Sequence, residues 1–347
     1  MRWQLKPESE KMLHLDCLRL IAATGIVLLH GVGRLEGLQL DLGSFRLFVD
    51  LISGYVISFV YMDGMCDREA YKGFLWKRVA RLVPLHWATF ALFMVLGILV
   101  MVLHVPINHA EIYDMRCAAQ NFLLLHAAWT CPHVSFNEAS WTISAEMGMY
   151  LISPLAFWLA RRSSAAMILI IGAMWLGMAQ HSTPDDPLFY RTSEGGVLRA
   201  LPSFLLGVWL YQNRKRFIFS GASRLMWFSL AAFVVCGLGG LAPHYLVLIL
   251  YATATFAICA RKGRVSRLTR MGAAWAQLTY SSYMLHGFVF IAVVSFGADH
   301  FLHANGAAKN ALVVLAFFIV WIVSWVSFVM FERPIRRLLT APVPQPA

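Results

Sequence analysis

The sequence predicts an all-α, polytopic integral membrane protein of about ten transmembrane helices with both termini cytoplasmic. Three observations carry this. Of the 347 residues, 59% are apolar and only 14% charged, and the mean hydropathy of +0.63 is too high for a soluble surface. Apolar stretches of spanning or near-spanning length recur near residues 16–33, 45–63, 83–104, 140–160, 165–181, 196–212, 224–241, 243–260, 277–297 and 309–331. Basic residues alternate across them. With a cytoplasmic N terminus, 22 of the 29 Lys and Arg fall on inside segments, and the outside keeps six: Arg34, Arg46, Arg116, Arg191, Arg199 and Lys309. The net charge of +11 therefore reads as a topology signal, and no nucleic-acid partner is expected.

Taken in order, the polar first dozen residues lead into an apolar run that carries Asp16 and Arg19 and lacks a small-residue cleavage site. No removed signal peptide is expected. Arg19 and His30 stand eleven residues apart in the first span, on one helical face and roughly 16 Å apart along the axis. Asp16 is an i,i+3 neighbour of Arg19 on that face. Ionisable groups in lipid are costly and face a bundle interior or a cavity, which marks them as functional. The alternative is a structural ion pair plus a hydrogen-bonded core histidine.

The second span carries Asp50. Lys77, Arg78 and Arg81 precede the third, and if that helix begins before Pro84, Arg78 and Arg81 present two guanidinium groups on one face. Such a pair fits a phosphate-bearing ligand; the alternative is a pair of membrane-surface anchors. The connection from about 105 to 139 is the one sizeable external loop. Its segment CAAQNFLLLHAAW, residues 117–129, is apolar but too short to cross, so it reads as re-entrant or interfacial. Cys117 and Cys131 flank it on the oxidising side, as a disulfide or as two free thiols. The fourth span carries Glu146, with Tyr150 one turn on. His286 falls mid-span near 277–297, beside Tyr280 and Tyr283, either supporting the site or as a core histidine bonded to a tyrosine. No linker or soluble module interrupts the chain, so residues 1–347 read as one membrane domain.

The polar residues fall into two layers. Arg19, Arg78 and Arg81 lie toward the cytoplasm, while His30, Asp50 and Glu146 lie toward the outside, where a histidine oriented by a carboxylate is a competent general base for a hydroxyl. No Cys/His spacing suits zinc, and no metal is expected. Phosphate-loop, dinucleotide and zinc-protease motifs are absent from the sequence. His109 and Asp114 spell H-x4-D, which is discounted as a chance spacing away from any cytoplasmic thioester.

Motifs spread from end to end resemble those of the membrane-bound acyltransferase-3 family, which includes polysaccharide and lipopolysaccharide O-acetyltransferases. Leu15-Asp16-Cys17-Leu18-Arg19 with His30 is similar to its L-D-G-L-R opening and R-x10-H signature, with Cys17 in place of glycine. Phe48-Val49-Asp50-Leu51-Ile52-Ser53-Gly54-Tyr55 resembles F-F-x-L-S-G-Y, with Asp50 where an aromatic or apolar residue is common. Lys77 to Pro84 resembles R-x-x-R-x-x-P. Trp141-Thr142-Ile143-Ser144-Ala145-Glu146 resembles W-S-L-S-x-E. Tyr280-Ser281-Ser282-Tyr283-Met284-Leu285-His286 and Phe331-Glu332-Arg333-Pro334 resemble the late S-Y-x-x-Y-L-x-H and E-R-P elements.

The resemblance implies an O-acyltransferase of the bacterial plasma membrane that takes an acyl group, acetyl first, from cytoplasmic acyl-CoA. The acceptor is then a hydroxyl of a glycan or lipid-linked saccharide at the outer face, with polysaccharide-biosynthesis proteins as partners. It implies His30 as base or acyl relay, with Arg19, Arg78 and Arg81 on the donor's phosphates. Glu146 and Asp50 complete the expected catalytic set, and Asp16, Tyr150, Tyr283 and His286 support it. The rival readings are a proton-coupled transporter or flippase, for which no internal repeat is found, and a catalytically inactive scaffold.

Overall fold

The computed structural model describes residues 12–36, 42–102, 110–182, 192, 195–260 and 265–341. The polar N-terminal residues 1–11, His109 of the H-x4-D spacing, Arg191, the basic residues 261–264 and the C-terminal tail lie outside the described residues. The described residues form helices and no strand, which makes an all-α membrane protein. The helices are α1 (Leu13–Val32), α2 (Ser44–Ile57, continued by a π turn to Met62), α3 (Arg68–Val102), α4 (Ala118–Phe122), α5 (Ser140–Arg162), α6 (Ser164–Gln180), α7 (Gly196–Asn213), α8 (Ala222–Leu238), α9 (Pro243–Cys259), α10 (Arg267–Trp275), α11 (Thr279–Phe290), α12 (Gly306–Ser327) and α13 (Arg333–Thr340).

Each expected span falls on a helix. Among the described residues, six helical stretches are long and apolar enough to cross a membrane: Leu13–Val32, Ser44–Met62, Arg68–Val102, Ser140–Arg162, Arg267–Phe301 and Gly306–Thr340. Ser164–Gln180, Ala222–Leu238 and His244–Cys259 are shorter apolar helices. Large apolar side chains such as Leu169, Phe228, Val235 and Phe318 lie on the molecular surface, where lipid rather than water would be their solvent. α3 begins at Arg68, well before the expected start near residue 83, because no breaker interrupts the preceding residues. Pro84 falls inside the helix, as membrane helices tolerate.

The closest helix contact is between α2 and α7. A Cβ on Gly54 would lie 2.1 Å from the Phe204 carbonyl oxygen, and one on Gly207 would lie 2.1 Å from that of Leu51. The backbones touch, as small-residue interfaces in membranes allow. Elsewhere the same logic appears at the expected departure Cys17, whose sulfur would be 2.6 Å from a Cβ on Gly272 of α10. The thiol is seated where α10 has no side chain.

Residues 110–139 fold back into the bundle as short turns around α4. Cys117 and Cys131 are joined in a disulfide across it. His86 Nε2 lies 2.8 Å from the Asn121 carbonyl oxygen, and His126 Nε2 lies 3.1 Å from Ser140 Oγ. Ser144 Oγ donates to the Leu124 carbonyl at 2.7 Å and accepts from the Ala127 N–H at 3.1 Å. Ser144 of α5 thus satisfies two backbone groups that the irregular segment would otherwise bury unpaired.

Candidate functional site

Five helices converge on one cavity of about 140 Å³. α1 contributes Arg19, α2 Asp50 and Ser53, α3 Arg78 and Arg81, α5 Glu146 and Tyr150, and α11 Tyr280 and Tyr283. Helical periodicity explains the convergence. Arg78 and Arg81 are one turn apart on α3, Glu146 and Tyr150 one turn apart on α5, and Asp50 and Ser53 one turn apart on α2.

Inside the cavity the charges are held by specific partners. Arg19 donates from Nη1 to Asp16 Oδ1 at 3.1 Å, the pair expected from their spacing. Arg78 donates from Nη2 to the Tyr61 hydroxyl at 2.8 Å and stacks over that ring at 5.1 Å. Its Nε is buried and makes no hydrogen bond among the described residues. Ser53 donates to Glu146 Oε1 at 2.8 Å. Asp50 is buried and couples electrostatically to Arg199 and Glu146. Arg199 on α7 is itself buried, with its guanidinium 4.1 Å from the Trp141 ring centroid.

His30 is not among the residues that line this cavity. Its half-buried ring lies 4.8 Å from that of His286. His286 is fully buried, and its Nδ1 is 2.7 Å from the Tyr283 carbonyl oxygen. A carbonyl only accepts, so Nδ1 donates and Nε2 keeps its lone pair. His286 therefore bonds a tyrosine's backbone rather than its hydroxyl. The Tyr283 ring lies 5.8 Å from the His286 ring and also lines the cavity. Tyr283 therefore stands between the arginine cavity and the histidine pair.

This arrangement corrects the expected layering. Asp50 and Glu146, expected beside His30, share a cavity with Arg19, Arg78 and Arg81. Long guanidinium stems carry charge more than a turn from their own Cα atoms, so arginines and carboxylates expected at different levels meet in one cavity. The charges that act on the His30 ring come instead from Arg46 and Arg34. Those two and Arg199 were expected only as external basic residues. Their position inside or beside apolar runs is the signal that marks them, since span-end arginines count as topology markers by default. Ser53 was legible only as part of a motif.

The late motifs acquire physical roles. Ser281 donates to Glu332 Oε2 at 2.8 Å within the bundle, and the Tyr280 hydroxyl donates to the Leu82 carbonyl on α3. Together they tie α11 to the π turn after α12 and to the arginine-bearing part of α3.

Among the described residues, one group has metal-type ligands close together: Asp114, Cys117 and His133. The Cys117 sulfur is engaged in the disulfide. Arg116 hydrogen-bonds Asp114 and holds its carboxyl below the usual carboxylate range. Neither group is left as a ready ligand.

Comparison with known proteins gives one match. A family model described as an acyltransferase domain, that of acyltransferase-3, covers residues 12–331. No curated protein and no solved structure matches the chain.

Proposed function

The chain belongs to the acyltransferase-3 family of membrane acyltransferases, and from that premise we propose that it moves an acetyl group from cytoplasmic acetyl-CoA to a hydroxyl of a glycan or lipid-linked saccharide at the outer face. In this reading residues 1–347 form one domain of ten spans in a bacterial plasma membrane, with both termini cytoplasmic. Arg19, Arg78 and Arg81 hold the donor's phosphates. The observation that carries the reading is the convergence of these three arginines on a cavity whose Tyr283 wall borders His286, which in turn lies against His30. The buried Arg78 Nε supplies a donor for a phosphate oxygen.

His30 Nε2 or Nδ1 takes the proton of the acceptor hydroxyl as its oxygen attacks the thioester carbonyl. The C–S bond breaks, and the CoA thiolate takes up a proton as the imidazolium releases one. The products are the O-acyl saccharide and CoA. His286, with its Nε2 lone pair fixed by the Tyr283 carbonyl, steadies the His30 ring and shares the proton. Asp50 and Glu146 balance the guanidinium charge in the cavity rather than touching the His30 ring. The disulfide between Cys117 and Cys131 supports an oxidising, external side for that segment.

The test is release of free CoA from acetyl-CoA by the purified full-length protein in detergent, with and without a cell-surface glycan extract, beside His30→Ala. Release that requires His30 and rises with extract is expected. Undiminished release in the mutant sinks the role of His30. Proton-coupled solute uptake in liposomes, with no CoA release by folded protein, would transfer the assignment to a transporter.

A further inference from the structure

A second groove lies at the Arg162 end of α5 and shares no lining residue with the arginine cavity. It is bounded by Met65, Pro154, Phe157, Trp158, Arg161 and Arg162. The two arginines close the last turn of a helix long and apolar enough to cross a membrane, and the rest of the lining is apolar. Arg161 donates from Nη2 to the Met62 carbonyl oxygen at the end of the π turn that follows α2. The Tyr71 hydroxyl of α3 donates to the Leu151 carbonyl oxygen at 2.9 Å. These bonds tie α5 to the residues that face it across the groove. The carboxylates of the facing connection and of the first turn of α3 are engaged elsewhere. Asp63 accepts from the Tyr211 hydroxyl at 2.8 Å and lies 3.9 Å from Arg214. Asp67 accepts from the Ala70 N–H at 2.8 Å, and Glu69 pairs with Lys72 at 2.6 Å.

The outer face of α5 continues the groove. Leu151, Leu155, Trp158 and Arg162 follow one another at helical spacing on one stripe, and all four are exposed. An apolar stripe that ends in a tryptophan and then in arginines repeats the order of a phospholipid: acyl chain, interface, phosphate. Guanidinium groups offer paired N–H donors to phosphate oxygens, and two cations at a membrane edge favour a headgroup of net negative charge over a zwitterionic one. From the groove and the stripe together, we infer that the Arg162 end of α5 is a binding site for an anionic phospholipid. Arg161 and Arg162 hold the phosphate, and one acyl chain lies along Trp158, Leu155 and Leu151. A lipid seated there bridges α5 and the connection at Met65, so it stabilises the folded bundle by mass action. The inference is independent of the acyltransfer chemistry.

The experiment titrates delipidated full-length protein in neutral detergent with dioleoylphosphatidylglycerol or dioleoylphosphatidylcholine, reading bound lipid by native mass spectrometry and stability as Tm. A preference of roughly tenfold for phosphatidylglycerol is expected, with a higher Tm, both weakened by salt. Arg161→Gln combined with Arg162→Gln should remove most of that preference. Because Arg161 also bonds Met62, Arg162→Gln alone is measured beside the pair and should lower the preference about threefold. Trp158→Ala should weaken both lipids alike. Lys215→Gln with Arg216→Gln removes the same charge from an exposed pair beyond α7 and should leave the preference unchanged. Equal binding of the two lipids would overturn the inference, as would a preference that survives both the Arg162 single and the Arg161 and Arg162 double variants. A preference lost equally in the Lys215 and Arg216 control would reduce the effect to diffuse surface charge and also overturn it. Displacement of phosphatidylglycerol by inorganic phosphate or by 3′,5′-ADP, the phosphate-bearing end of CoA, would assign the groove to a soluble phosphate instead.

Discussion

The arginine cavity and the histidine pair sit on the same helices yet solve the problem of buried charge in opposite ways. In the cavity, Arg19 faces Asp16, Arg78 faces Tyr61, and Glu146 faces Ser53, so most groups arrive with a partner. Around His30 the nearest ring is another base, His286, and the charges on the His30 ring are those of Arg34 and Arg46, while Glu138 acts on His286 and Arg34 from an exposed position. A region provided with counter-charges can wait for a ligand at little cost in stability. The difference separates residues that hold from residues that react.

Substitutions can break this contrast at its ends. The largest effect is expected from His30→Ala, which should lower turnover about 10²- to 10⁴-fold with unchanged membrane insertion, read as CoA release. Next comes Arg199→Gln, which leaves the Asp50 carboxylate buried without its charge partner and should cost about 3–5 kcal/mol in detergent unfolding. Asp50→Asn with Arg199→Gln should recover much of that loss, and a double variant no more stable than the single one would dismiss the pair. Cys117→Ser should cost about 3 kcal/mol for a closed loop of this length, seen as a lower Tm that a reductant reproduces in wild type. Arg78→Ala should raise the apparent KM for acetyl-CoA about tenfold, roughly 1.4 kcal/mol, with a smaller change in kcat. An unchanged KM would remove Arg78 from the donor site.

The smallest effect concerns Asp114, outside the spans. Its carboxyl is held below the usual range by the hydrogen bonds from Arg116, so its contribution is present above about pH 4 and is lost as the pH falls through its lowered pKa. Asp114→Asn should produce a slight drop in Tm at pH 7 that vanishes in strong acid, while CoA release stays as in wild type.

Much of this architecture was legible before any coordinates. Apolar length placed each expected span on a helix, six of the helical stretches being long and apolar enough to cross a membrane, and i,i+3 spacing anticipated the pair of Asp16 with Arg19 and the shared face of Arg78 and Arg81. That residues 117–129 form short helical turns packed on α5 and no long helix followed from an apolar run too short to cross. What stayed hidden was lateral: sequence spacing fixes which face of a helix a residue occupies, but not which neighbour that face meets. Asp50 therefore appeared beside His30, whereas packing of α2 on α7 turned it toward Arg199. His286 likewise had the right depth, but its ring contact with His30 depends on the approach of α1 to α11. Long flexible arginines added to the error, because their charge sits far from the backbone position that spacing predicts.

The bare-backbone seam at Gly54 and Gly207 decides which parts of the bundle can move. A slip of one turn would bring Asp50 or Ser58 to the place where Gly54 touches α7, and Ser203 or Tyr211 to the place where Gly207 touches α2. Neither has room, since even a methyl group would lie 2.1 Å from a carbonyl oxygen. α2 and α7 therefore act as a fixed stator. An opening toward His30 therefore falls to helices outside that seam, among them α1 and α11, which carry the histidine pair.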